Sequence, residues 1–201
     1  MPVAAGPAAI GAAVHSGWAV IVAMGNTATD PRVLLRSRIE LIDEQHPESK
    51  QPYHAVESLA LAEARRRLDA FEASARGKAQ SALDAIDRTL LQQDYRMRSV
   101  GILDSSGRAA DNLAAILSSH ALIHTADGNH FRAAIAAAAE LRGLQVTRLA
   151  AKALEPHVRT KLSLSADTIA RMQTAFGKQL GAPWGADQKQ AALLAWSLLE
   201  L

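Results

Sequence analysis

Apolar positions open the chain in two closely spaced runs. Residues 8–14 are small and apolar, and residues 18–24 (WAVIVAM) are apolar at odd and even positions alike. A run apolar on both parities predicts a strand buried on both faces, in the middle of a sheet. His15, Ser16 and Gly17 lie between the runs at hairpin spacing. After a turn-rich connection over 25–31, residues 32–42 alternate. Val33, Leu35, Ser37, Ile39 and Leu41 point one way, and Leu34, Arg36, Arg38, Glu40 and Ile42 the other. That pattern predicts a strand with one core face and one mostly polar face. The chain is thus expected to begin with a three-stranded antiparallel meander.

A polar loop with two prolines, over 43–52, separates the meander from a helical pattern. From residue 55 to about 92, Leu59, Ala62, Leu68, Phe71, Ala75, Ala79, Leu83, Ile86 and Leu90 recur at three- and four-residue steps among charges. Gly77 is a candidate break within it. A strand follows over 96–103, then a turn at 105–107 and a helix over 109–117 with Asp111 near its start. Residues 120–125 fit a strand or a helix end. Gly128 and Asn129 punctuate, residues 131–142 read as an alanine-rich helix, and Gly143 sits where a C-terminal glycine belongs. A short strand over 145–149 precedes helices near 151–162, 166–180 and from 187 onward. GAPWG at 181–185 makes the turn before the last helix.

The length fits one domain over residues 1–201, with the helical segment near 55–92 included. Alanine makes up roughly a fifth of the chain and aromatics only 4%, so the core must rest on closely approaching elements filled by Leu, Ile and Val. A formal charge of +2 does not by itself point to nucleic acid. There is no cysteine, which excludes thiolate nucleophiles, disulfides and cysteine-ligated zinc or iron–sulfur centres. The first basic residue is Arg32, so the N-terminal stretch lacks a signal peptide's basic region. No apolar run reaches the ~18 residues of a membrane span. A cytoplasmic protein without membrane contact is expected, with a homo-oligomer left open.

Ionisable chemistry concentrates over 118–132 (SSHALIHTADGNHFR), where three histidines, an aspartate and an arginine sit between alanine-rich segments. His120 and His124 share a face on either a helix or a strand, because four is close to a helical turn and is also even. With Asp127 they make a plausible metal set, or a base with its orienting partner. They equally fit a spacer and a local backbone cap, and no residue is assigned as a metal ligand. Asp127 at the start of the alanine-rich helix reads as an N-cap, a position that also presents N–H groups to an anion. Arg36 and Arg38 are a solvated strand face, or phosphate or carboxylate ligands if helices cover them. Tyr53 and His54 either staple the start of the long helix or line a pocket. Asp187 reads as the N-cap of the last helix, with Trp184 and Lys189 beside it as candidates to line a site. Ser16 beside His15 is a weaker nucleophile candidate, since no G-x-S-x-G context surrounds it.

Three meander strands, then helix, strand, helix, strand and helix, resembles the ribonuclease H-like fold. HSGWAVIVAM at 15–24 is similar to the first hairpin of that superfamily, and TADGNHFRAAIAAAAELRGLQVTRL at 125–149 to a stretch of Holliday-junction-resolvase-like proteins. The resemblance implies an α/β domain with a mixed sheet of about five strands and helices on both faces. It also implies Mg²⁺ or Mn²⁺ as cofactor and nucleic acid or a nucleotide as partner. Ribonuclease H-like nucleases hold Mg²⁺ with an aspartate on the first strand. Here residues 8–14 carry no carboxylate, although Asp127 and Asp187 stand by position for two other acidic residues. The expectation is therefore a degenerate module that binds a nucleotide, nucleic acid or another anion. The alternative is a metal-dependent phosphodiester or nucleotide hydrolase using His120, His124, Asp127 and Asp187; a metal-free hydrolase or transferase using Ser16 or His124 ranks below both. In either of the first two readings His120, His124 and Asp127 are expected to share a cleft with His15 or Ser16 and with Trp184 or Asp187.

Overall fold

Five strands form one mixed sheet in the order β3-β2-β1-β4-β5. The computed structural model describes residues 5–104, 110 and 112–199. Strands β1 (Gly6–His15), β2 (Trp18–Asn26) and β3 (Pro31–Glu40) make the antiparallel meander. Strands β4 (Tyr95–Asp104) and β5 (Gln145–Ala150) add parallel to β1 on its other side. Seven α-helices are described: α1 (Pro52–Ala55), α2 (Leu61–Leu91), α3 (Leu113–Leu117), α4 (His120–Glu140), α5 (Leu154–Leu162), α6 (Ala166–Leu180) and α7 (Ala186–Ser197).

The sheet is covered on both faces. On one, Ala8, Ile10, Ala12 and Val14 of β1 and Ala19, Ile21 and Ala23 of β2 pack against α2 and α4. On the other, Ala9, Ala13, Val20, Val22 and Met24 pack against α5, α6 and α7. Strand β2 is interior and buried on both faces, as its double-parity pattern predicts, but the middle place belongs to β1. Small residues of β1 and β4 let α7 lie almost on the backbone. A Cβ at Gly11 would stand 1.9 Å from the Ala191 carbonyl oxygen, and one at Gly101 would stand 2.6 Å from Leu194 Cγ. A third cluster, Val56, Ala64, Leu68, Phe71 and Leu113, roots α1 and α3 on the first half of α2.

Several local expectations need correction. Gly77 does not break α2, which runs unbroken for 31 residues; a Cβ there would meet nothing. Residues 120–125 are the first turns of α4, and that helix passes straight through Asp127, Gly128 and Asn129. Asp127 is therefore no N-cap and opens no anion-binding helix end; Ser119 precedes the helix. Nor is Asp187 an N-cap, since Gly185 holds that place and Asp187 lies in the first turn. The third strand loses its strict alternation at a bulge opposite Ala23 and Met24, which buries both Val33 and Leu34. Asn112 caps α3, accepting from Ala114 and Ala115 N–H; the turn expected at 105–107 and Asp111 lie outside the described residues.

Candidate functional site

Strands β1, β4 and β5 are parallel, so they finish on one edge, at His15, Asp104 and Ala150. Ligand sites of open α/β sheets form at such ends. His15 Nε2 lies 3.0 Å from Asp187 Oδ2, at the start of α7. The His15 ring stacks on Trp18 with centroids 4.1 Å apart, and the Arg38 guanidinium sits 3.9 Å from the Trp18 ring centre. Arg38 also donates to Glu40 at 2.7 Å. Asp104 accepts from Arg148 through Nε and Nη2, at 2.6–3.1 Å.

Between β1 and β4 stands Arg132 of α4. Its Nε donates to the Leu103 carbonyl at 2.8 Å and its Nη2 to the Val14 carbonyl at 3.3 Å. Burial lowers its pKa, the Asp104 carboxylate opposes that shift, and Arg148 adds to it; a guanidinium nonetheless stays charged. Gly128, one turn earlier, makes room: a Cβ there would stand 2.9 Å from Arg132 Nη1. A mid-helix glycine costs about 1 kcal/mol against alanine, and its place here is explained by the passage of this side chain.

This edge does not fit a pair of Mg²⁺ or Mn²⁺ ions. Such ions require several free oxygen ligands in fixed geometry. Strand β1 supplies no carboxylate, Asp104 and Asp187 are each paired with a basic side chain, and the Arg132 guanidinium lies between the strand ends.

A second group gathers where α1 meets the N-terminal half of α4. Asp127 is 3% exposed. One carboxylate oxygen accepts from the Tyr53 backbone N–H at 2.7 Å, and the other accepts from His54 Nδ1 at 2.5 Å. His120 and His124 follow one another by a helical turn, with their Nε2 atoms 3.0 Å apart. The His54 ring faces both, with centroid distances of 5.4 and 4.6 Å. The three histidines offer ligating atoms that all lie within 4.8 Å of one another. Beside them, a cavity of about 220 Å³ is lined by Tyr53, Glu72, Asn129 and His130, among others.

His130 is buried, hydrogen-bonds to the Phe71 backbone and leaves Nε2 without a partner. Burial lowers its pKa, while the Asp127 charge pulls the other way. The folded ring therefore takes up a proton less readily than the unfolded one. By linkage, stability is full above the unfolded-state value of about 6.5 and falls as pH drops below it. Urea midpoints of the wild type should decline between pH 7.5 and 5.0, and His130→Leu should decline less. Equal slopes in the two proteins would remove His130 as a cause.

The remaining candidates have structural partners. Arg36 donates to the carbonyls of Gly181 at 3.0 Å, Ala182 at 3.1 Å and Pro183, holding the turn before α7. Trp184 donates from Nε1 to the Gln173 carbonyl at 2.9 Å and packs over Gly177. The Lys189 carbonyl accepts from Gln173 Nε2. Ser16 lies in the β1–β2 turn. The structure thus brings together His54, His120, His124 and Asp127, and separately His15 and Asp187. No hydrogen bond, ion pair or ring contact among the described residues joins the two groups. Asp104, Arg148 and Trp18 were not among the residues singled out from the sequence, and Arg132 was noted there only as the arginine of the 118–132 stretch. An arginine one turn after a mid-helix glycine was the available signal for Arg132.

The strand order, the mixed pairing and the helices on both faces are those of the ribonuclease H-like α/β fold. Among solved structures, RuvC of Thermus thermophilus shares it, with a TM-score of 0.53 at 13% identity over 94% of this chain and 92% of that one. T. thermophilus RuvC in complex with a Holliday junction substrate gives 0.51 at 14% identity, over 94% and 90%. Likeness at this identity concerns the fold. No protein-family model and no curated protein matches the chain by sequence. No helix among the described residues is long and apolar enough to cross a membrane.

Proposed function

We propose that this protein is a nucleic-acid-binding module, and that it engages a phosphodiester backbone along the edge where β1, β4 and β5 end. The carrying observation is Arg132, seated on the Val14 and Leu103 carbonyls between carboxylates that are already paired. Cations stand where two-metal chemistry would need free oxygens. Exposed guanidinium groups favour phosphate, whose oxygens match their fork of donors. Arg38 on β3 stands on the α7 side of this edge, and Arg132 and Arg148 stand on its α4 side, with β3 and β5 four strand spacings or roughly 19 Å apart. That length suits several consecutive phosphates of a strand better than one nucleotide. A solved neighbour of the same fold is a complex with a Holliday junction, which makes branched DNA the first polymer to try.

The test is fluorescence anisotropy with a four-way junction, a duplex and single strands, at low salt in chelator. Salt-dependent binding is expected. Arg38→Ala and Arg148→Ala should each weaken it by about 3- to 10-fold and reduce the salt slope by roughly one. Failure to bind any of the three DNAs, or binding unchanged in both variants, overturns the reading. The runner-up, a metal-dependent hydrolase, has the partly exposed Asp187–His15 pair in its favour. Mg²⁺- or Mn²⁺-dependent cleavage abolished by Asp187→Asn would establish it instead.

A further inference from the structure

We infer that His54, His120 and His124 form a site for one divalent transition ion, with Zn²⁺ as the occupant the donors fit. The first support is that three imidazoles from two separate elements bring ligating atoms within 4.8 Å of one another. Two stand one turn apart on α4, and the third comes from α1, 66 residues earlier than His120 in the chain (120 − 54). A structural pair of histidines needs no third ring turned edge-on to both, yet His54 is so placed, at interplanar angles of 89° and 60°.

The second support is Asp127. A carboxylate accepts and does not donate, so the short contact to His54 Nδ1 places the proton on that nitrogen. The lone pair of His54 is then on Nε2, on the far side of the ring. Histidines that bind metal are commonly held this way, with the second nitrogen donating to a carboxylate that fixes tautomer and orientation. Asp127 is itself fixed by the Tyr53 N–H and by burial. The orienting group is thus buried while the two helix histidines are exposed, an arrangement that leaves the focus open to an ion from solvent.

The third support is the spacing of His120 and His124. Two Nε2 atoms 3.0 Å apart must share a proton or a cation, since two lone pairs facing each other repel. Zinc–nitrogen bonds of ~2.0–2.1 Å in a tetrahedron set neighbouring nitrogens roughly 3.3–3.4 Å apart. Small rotations of two exposed rings supply that difference. Three imidazoles suit zinc and its late-transition neighbours, whereas Mg²⁺ and Ca²⁺ want oxygen. Three protein ligands also leave a fourth position for water or an incoming ligand. The site lies about 12–18 Å along α4 from Arg132, at 1.5 Å per residue, and it stands independently of the strand-end reading.

The experiment uses the full chain without any histidine tag, stripped by chelator and then titrated with ZnCl₂. One equivalent should bind, and excess Zn²⁺ should raise the melting temperature by several degrees through mass action, while Mg²⁺ leaves it unmoved. The double variant His120→Ala, His124→Ala should melt near the stripped wild type, because both side chains are exposed, and should lose the Zn²⁺ response. Asp127→Asn should weaken Zn²⁺ affinity by about 10- to 100-fold. Co²⁺ in place of Zn²⁺ should give the intense visible absorption of a four- or five-coordinate ion. No Zn²⁺ shift, an equal shift in the double variant, or only the faint spectrum of six-coordinate Co²⁺ overturns the proposal.

Discussion

Gly11→Ala is expected to leave a chain that does not fold stably at 25 °C. The added Cβ would lie 1.9 Å from the Ala191 carbonyl oxygen, 2.8 Å from its carbon and 3.0 Å from Ala195 N. All three are backbone atoms of α7, so no rotamer change relieves the clash. Relief requires lifting α7 from β1, which would also draw Leu194 away from Gly101 and strain the bond from Trp196 Nε1 to the Ala28 carbonyl. Overpacking against movable side chains costs about 1–3 kcal/mol. Against helix backbone on the middle strand the cost should exceed roughly 4 kcal/mol, a large share of the 5–15 kcal/mol typical of a domain. Gly101→Ala is the internal comparison, because the three atoms nearest its Cβ all belong to the Leu194 side chain, and it should cost about 1–3 kcal/mol. Urea unfolding of both variants checks the pair. A Gly11→Ala midpoint close to wild type would mean that α7 does not sit where the structure has it.

The same contact shows why the sequence yields strands more readily than their packing. Strand β2 is legible because Val20, Ile21, Val22 and Met24 are large and apolar on both parities. Strand β1 takes the middle of the sheet with Ala8, Ala9, Gly11, Ala12 and Ala13, whose value lies in how near α7 can come. Small residues carry little hydrophobic signal, so periodicity underrates them. Helix α7 is buried over Ala191–Ser197 and therefore shows no amphipathic stripe to reveal its partner. Glycine misled in two places for two reasons. Gly77 occupies open space and its helix is held by neighbouring turns, while Gly128 stays helical to let Arg132 pass.

At the candidate site, local spacing was readable and long-range pairing was not. His120, His124 and Asp127 belong to one cluster because steps of four and three return to one helix face. Sequence order does not state that Asp127 turns inward to a histidine 73 residues earlier, or that Asp104 is paired with Arg148 across β4 and β5. The Trp18 stack is similar: His15, Trp18 and Arg38 meet because the hairpin register sets His15 opposite Trp18, and β3 returns Arg38 two residues from the partner of Trp18. Such contacts follow from register, which is fixed only once the strands pair.

Asp127 is the residue on which the histidine cluster depends most, and its removal should be costly without any metal present. Asp127→Ala would leave the Tyr53 N–H and His54 Nδ1 facing a gap at a position only 3% exposed. Stranding one buried donor costs about 1–3 kcal/mol, and the carboxylate satisfies two of them. His54 is partly exposed and can recover a bond to water, so the sum should settle near 3 kcal/mol. For a chain of this size that is a fall in melting temperature of roughly 6–12 °C. Asp127→Asn keeps the shape and can still accept from Tyr53, so about 1 kcal/mol is expected. Its amide N–H₂ would face His54 Nδ1, however, and the ring must then move its proton to Nε2. A double-mutant cycle of Asp127→Asn with His54→Ala, measured in chelator, should return a coupling of about 1–3 kcal/mol. Coupling near zero would separate the two residues energetically, and Asp127 would then hold only the Tyr53 backbone.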